Sequence, residues 1–192
     1  MPQVPVQEFE QLPLRAHGFL AGVPIHDVWA VDLPRKRSGI TLDEFFRGGN
    51  PLLLTTSPMV RALVSIRLFF GRIFGWEREP SATTWQTFAI RLTTADRSRS
   101  LVPAGTREGP FRVVYQFENE QLLELINRTA HAAALSALVE TASAYRFYFA
   151  VYVCKVSRFT SVYMALIDPF RKLVVYPSLL RSVRATWNKT FG

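Results

Sequence analysis

Three histidines, one cysteine and a single tight basic triplet are the residues of this chain best suited to acid–base, nucleophilic or anion-binding chemistry, and their spacing restricts what they can do. His26 stands beside Asp27 in VPIHDVWAVDL, a run that reads as a first strand over residues 23–33. Adjacent strand residues point to opposite faces, so the two are not expected to form a dyad, and His26 is read as structural. His17 falls in the N-terminal segment and His131 in the Ala-rich stretch AHAAALSAL. A metal centre needs further ligands that this spacing does not place, so no metal and no cofactor is implied. Cys154 is alone, which rules out an intrachain disulfide and makes a reducing, cytoplasmic compartment its natural home. Its place within a strand makes it a packing residue rather than a nucleophile. The sequence carries no glycine fingerprint after a strand, no phosphate loop, no nucleophile elbow and no paired-histidine zinc helix.

The net charge of +8 and pI near 10.1 favour acidic partners. The basic residues are nevertheless spread along the chain. Arg35-Lys36-Arg37 follows Pro34 and reads as a solvated loop. No zinc-finger, helix-turn-helix or RNA-binding pattern is present, so sequence-specific nucleic-acid reading is not expected. The segment Met59–Trp76 is apolar but interrupted by Arg61, Arg67 and Arg72, short of the roughly 18 uninterrupted residues of a membrane span. With Ser57 as cap, Pro58 next and Gly75 at its end, it predicts an amphipathic helix that packs on the protein's own sheet or lies on a membrane surface. Arg67 sits at the border of its apolar arc, placed either to snorkel outward or to offer its guanidinium to a carboxylate.

The elements that must hold these residues are clearest near the C-terminus. Tyr145, Phe147, Phe149, Val151 and Val153 alternate with Arg146, Tyr148, Ala150, Tyr152 and Cys154, which predicts a strand with one core face and one half-wet face. A second β-rich run, Phe159–Ile167, follows a link short enough for an antiparallel hairpin. Asp168 then reads as a helix cap, and Leu173, Tyr176, Leu180, Val183 and Trp187 recur at helical spacing, with Lys172, Arg181, Arg184 and Lys189 mostly off the stripe. Pro177 inside that helix predicts a kink or break over Val174–Pro177. Upstream, Thr41 with Glu44 signals a helix start. Gln86–Leu92 suggests a short strand, Ala95–Pro110 a polar turn region, and Phe111–Phe117 another strand. Residues 121–144 have the intrinsic preference of a helix but lie between strand-like runs. The N-terminal segment, MPQVPVQEFEQLPLRAHGF, lacks the pattern of a secretory signal, and its prolines and acids suggest an extended arm over residues 1–20.

At 192 residues, with 48% hydrophobic and 13% aromatic residues, the rest of the chain reads as one domain with apolar surface enough for a ligand cavity, a partner face or a membrane contact. The stretches RALVSIRLFFGRIFGW, HDVWAVDLP and IDPFRKLVVYPSLLRSVRATW together resemble the uncharacterised bacterial family catalogued as domain of unknown function 2867. The resemblance implies an α+β helix-grip fold, START-like and similar to the lipid-transfer and plant-allergen type. In that fold a curved antiparallel sheet wraps around a long C-terminal helix, with a cavity between. It implies a strand over His131–Val139 within residues 121–144, and His131 matches a family histidine, although AHAAALSAL replaces the family's more polar surroundings. On that scaffold the first functional reading is a non-enzymatic binding module for a lipid-like or aromatic molecule. Tyr115, His131, Tyr163 and Trp187 line the cavity, and Arg67 contacts a carboxylate. A cyclase, hydrolase or isomerase-like enzyme with His131 as acid or base is the alternative. A domain that homodimerises through Arg146, Tyr148, Ala150 and Tyr152 is the third.

Overall fold

A computed structural model of the protein describes residues 3–49, 86–126, 131–154 and 168–192. The expected amphipathic helix over Met59–Trp76 with Arg67, and the β-rich run over Phe159–Ile167 with Tyr163, lie outside the described residues.

Alternating apolar residues build the sheet. Strands β1 (Ile25–Pro34), β2 (Arg107–Glu108), β3 (Phe111–Gln116), β4 (Glu120–Ile126), β5 (His131–Glu140) and β6 (Ala144–Cys154) form one antiparallel sheet in the order β1-β6-β5-β4-β3-β2. The fold is thus α+β. Residues 121–144 supply β4, β5 and the turn into β6, against their helical propensity. β5 is paired along its length on both sides, from His131↔Cys154 to Glu140↔Tyr145 and from His131↔Ile126 to Ala137↔Glu120, and this ladder overrides the preference of its alanines.

Both faces of the sheet are covered. On one face Trp29, Val31, Leu33, Tyr145 and Phe147 meet helix α3 (Leu42–Gly48) and the C-terminal helix through Phe45, Leu180, Val183 and Trp187. On the other, Val28, Ala30, Leu135, Tyr148, Ala150 and Tyr152 are sealed by Phe9, Ala16, Phe19 and Leu20. These come from two short helices, α1 (Val6–Glu10) and α2 (Arg15–Phe19), so the segment read as an extended arm is instead part of the core. The face read as half-wet is closed by it, and Tyr148, Ala150 and Tyr152 are not presented to a second copy. Phe9 lies 5.8 Å from the Tyr148 ring, and Arg146 reaches back to Glu8 at 3.1 Å.

Local chemistry explains three further departures. Gln86–Leu92 is a 3₁₀ turn (Phe88–Arg91) rather than a strand, because the Thr87 hydroxyl accepts from Ala89 N–H and the Glu124 carboxylate accepts from Phe88 N–H. The supposed turn region after Ala95 contains helix α4 (Thr94–Arg99), closed by a capping box between Thr93 and Asp96. Thr41 does cap α3, accepting from Glu44 N–H at 3.1 Å, but the Glu44 carboxylate turns to Arg37 instead of completing the box.

The C-terminal helix is interrupted where Pro177 predicts, by a π-helical segment after which a new α-helical stretch starts at Tyr176. Residues 168–170 are α-helical, Arg171–Val175 form a π-helical segment with Tyr176 N–H bonded to Arg171 C=O, and helix α5 runs over Tyr176–Phe191. Pro177 cannot donate to the carbonyl four residues back, and the widened turn lies just before it. The extra residue per turn shifts the phase of the stripe. Tyr176, Leu180, Val183 and Trp187 are buried as expected, whereas Leu173 is 77% exposed. Asp168, expected as a cap, directs its carboxylate to the side chains of His26 and Arg171.

Candidate functional site

Two irregularities of the backbone meet at one end of the sheet. Ile25 pairs with Tyr152 and Asp27 with Val151, so His26 is an extra residue bulged out of the ladder. The bulge cancels the alternation that should separate His26 from Asp27, and His26 Nε2 comes within 3.6 Å of Asp27 Oδ2 and 2.9 Å of Asp168 Oδ1. Opposite, the π-helical segment swings Arg171 inward. Its guanidinium donates to Asp27 Oδ2 at 3.1 Å and Asp168 Oδ1 at 3.0 Å, and it also contacts the Tyr176 hydroxyl. Tyr176 donates to the same Asp27 oxygen at 3.1 Å, which satisfies a carboxylate that is otherwise fully buried. Burial raises the Tyr176 phenol well above its ordinary range, with Arg171 opposing.

His26, Asp27 and Asp168 offer ligand atoms all within 4.8 Å of one another, a spacing that suits a metal ion. Arg171 already stands between the two carboxylates, however, with Lys172 Nζ at 4.0 and 3.8 Å, so the positive charge they require comes from the chain itself. Chemically this is a tether joining β1 to the C-terminal helix.

Of the residues singled out from sequence, those that the structure describes lie on two faces of the sheet. Trp187 is fully buried against Phe45, Tyr145 and Phe191, with its indole N–H donating to Pro34 C=O at 3.0 Å. Tyr115 and His131 lie on the opposite face. Tyr115 donates to Glu120 at 2.9 Å, packs edge-on to Phe19, and is held protonated by burial. His131 is only 3% exposed; it is hydrogen-bonded to Glu124 at 2.7 Å and stacked on Phe88 at 4.1 Å. Glu124, which sequence reasoning missed, also accepts from Thr87 and from Phe88 N–H. The His131–Glu124 pair is therefore a closed polar knot that fastens the 3₁₀ turn to the sheet.

A second network, likewise unforeseen, fastens α2. The Glu120 carboxylate accepts from Arg15 N–H at 3.1 Å, and the Arg15 side chain forms a two-point pair with Asp96 at 3.1 and 2.9 Å. The hydrogen bonds from Arg15, then from Thr93, hold the Asp96 carboxyl well below the usual range despite desolvation.

Beside that network lies an open cleft of about 410 Å³, lined by Val6, Glu10, His17, Leu20, Val23 and Tyr152 among others. It sits on the face covered by α1 and α2, not between the sheet and the C-terminal helix. Gly22, with φ of 79°, lines it and turns the chain from α2 toward β1, a conformation that a side-chain-bearing residue adopts only with strain. Among the described residues, two buried polar atoms in its wall have no hydrogen-bond partner: the Tyr152 hydroxyl and His17 Nε2. Most buried polar atoms are paired, so these two are exceptions. The signal available in the sequence was Tyr152 itself, a phenol on the half-wet side of a strand; its meeting with His17 depends on the path of the N-terminal segment.

Among the described residues no helix is long and apolar enough to cross a membrane. No curated protein and no solved structure matches the chain. Residues 19–178, which span the sheet, the tether and most of the cleft wall, match the family described as protein of unknown function (DUF2867), and the chain belongs to that family.

Proposed function

We propose that this protein is a binding module for a small, largely apolar molecule held in the cleft between the N-terminal helices and the ends of β1 and β6, on a scaffold of the helix-grip kind. The observation that carries the reading is the open cleft itself, where Val6, Leu20, Val23 and Ile25 stand beside Glu10, His17 and Tyr152. A concave site that mixes apolar walls with a few polar groups is the usual form of a small-molecule site. The volume of about 410 Å³ suits a ligand the size of a bicyclic aromatic or a medium-chain lipid. The enzymatic alternative places His131 in contact with substrate, whereas its ring is enclosed by Glu124 and Phe88.

The test is titration of the purified chain with the neutral fluorescent probe N-phenyl-1-naphthylamine. Saturable binding at one site is expected, weakened about tenfold or more by Ala21→Trp, which places an indole at the exposed rim. Absence of saturable binding, or affinity unaltered by Ala21→Trp, overturns the reading.

A further inference from the structure

After Asp168 the sequence carries Arg171, Lys172, Arg181, Arg184 and Lys189 and no further Asp or Glu. The first two are answered by Asp27 and Asp168. The other three are exposed, and among the described residues none of them meets a carboxylate. Arg181 bonds the Pro177 carbonyl of its own helix, and Arg184 the backbone carbonyl of Asp32. The acids of β1 and α3, which pack against this helix, are engaged elsewhere. Asp27 is held by Arg171, Asp32 lies 3.4 Å from Arg146, and Asp43 and Glu44 pair with Arg47 and Arg37. The outer side of the helix is therefore positive without local compensation.

Large apolar side chains stand out of the same segment. Phe170 is 50% exposed and Leu173 77%, the latter more than any other large hydrophobic among the described residues. The π-helical turn is the cause. Leu173 precedes Arg181 by eight residues; with the extra residue of the wide turn taken out, the separation is seven, about two helical turns. Leu173 thus stands on the side of Arg181 rather than in the buried stripe with Leu180.

We infer that this side of the C-terminal segment, from Phe170 to Lys189, is a docking surface for an anionic lipid bilayer, on the face of the sheet away from the cleft. Apolar side chains beside uncompensated cations on one side of a helix suit a membrane surface, where the first enter the acyl boundary and the second meet the head groups. Nucleic acid answers the arginines but leaves Leu173 and Phe170 nothing to bury against. A second copy of the chain sets cations against cations, with a net charge of +8 on each.

The experiment is co-sedimentation of the full chain with sucrose-loaded vesicles at low ionic strength, made of phosphatidylcholine alone or mixed with phosphatidylglycerol. Binding is expected only with phosphatidylglycerol and should fall as salt rises. Each basic side chain near an anionic surface is worth about fivefold in affinity, so Arg181→Gln with Arg184→Gln should weaken binding about tenfold or more. The same change of charge in Arg97→Gln with Arg99→Gln, on α4 beside α2 at the opposite face, should cost less than about threefold. Leu173→Ser, at an exposed position, should leave the urea midpoint in place and weaken vesicle binding about fivefold. Equal losses from the two arginine pairs would assign binding to net charge and overturn the surface. Equal binding to both vesicle types, or to neither, overturns it too. Vesicle binding untouched by Leu173→Ser, with a short DNA duplex bound through the same two arginines, gives the face to nucleic acid and overturns the lipid assignment.

Discussion

His26 Nε2 lies 3.6 Å from Oδ2 of Asp27, its neighbour in the chain, although both belong to a β-strand. The bulge that makes this contact brings His26 and the inward-turned Asp27 to the one place where Asp168 and Arg171, on the π-helical turn, can reach them. Two defects in regular structure are thus matched to each other. Their product is a buried carboxylate held chiefly by a guanidinium and a phenol, with Gln3 and Lys172 at longer range.

That dependence gives the first prediction. Arg171→Met keeps most of the stem but removes the cation bonded to Asp27 and Asp168. Breaking a buried pair from one side costs about 3–5 kcal/mol because the remaining charge is uncompensated. Equilibrium urea denaturation should show a loss in that range, and Asp27→Asn in the Arg171→Met background should restore part of it. A loss under about 1 kcal/mol would mean that Lys172, 4.0 Å from Asp27, takes over the pairing.

The shifted phase of the C-terminal helix is tested by a pair of substitutions. Trp187→Ala should cost about 3–5 kcal/mol, since the ring is fully buried among Phe45, Tyr145 and Phe191. Leu173→Lys should cost less than about 0.5 kcal/mol, as expected for an exposed position. A large loss at Leu173 would return it to the buried stripe and contradict the π-helical turn.

This contrast shows what the sequence makes legible. Period-two and period-3.6 patterns reveal β1, β3, β6 and α5 because one face of each is apolar and the other is not. β4 and β5 lack that contrast. Over residues 121–124 and 133–136 both faces bury, as Leu122 and Leu123 do on opposite sides, so only the pairing partners decide the state. The α1–α2 segment looked like an arm because its prolines and acids hide Phe9, Ala16 and Phe19, whose burial requires the sheet to be in place. The candidate site was least legible. A bulge has no residue-type signature at His26, and the His17–Tyr152 cleft joins segments 135 positions apart in the chain.

Two acid-induced steps are expected in stability. Burial lowers the His17 pKa below its ordinary 6.5, so the unfolded chain takes up this proton first. The contribution is complete above pH 6.5 and is lost as pH falls toward the folded-state value. Asp96, held low chiefly by Arg15, contributes fully above its ordinary 3.8 and loses that contribution at still lower pH. Melting temperatures between pH 8 and about 1.5 should therefore fall in two stages. His17→Phe should flatten the first and Asp96→Asn the second. A first stage unchanged by His17→Phe would assign it to another group.

The last prediction concerns the stability cost of one atom. The Tyr152 hydroxyl is buried without a partner, and leaving such a group unsatisfied costs about 1–3 kcal/mol. Tyr152→Phe removes the oxygen and keeps the ring packed in the same face as Tyr148 and Ala150. The ligand-free variant should therefore match or exceed the parent by up to about 1 kcal/mol in urea denaturation, contrary to the usual loss when a buried hydroxyl is deleted from a satisfied site. A Tyr152→Phe variant destabilised by more than about 1 kcal/mol would show that the hydroxyl already has a partner within the protein.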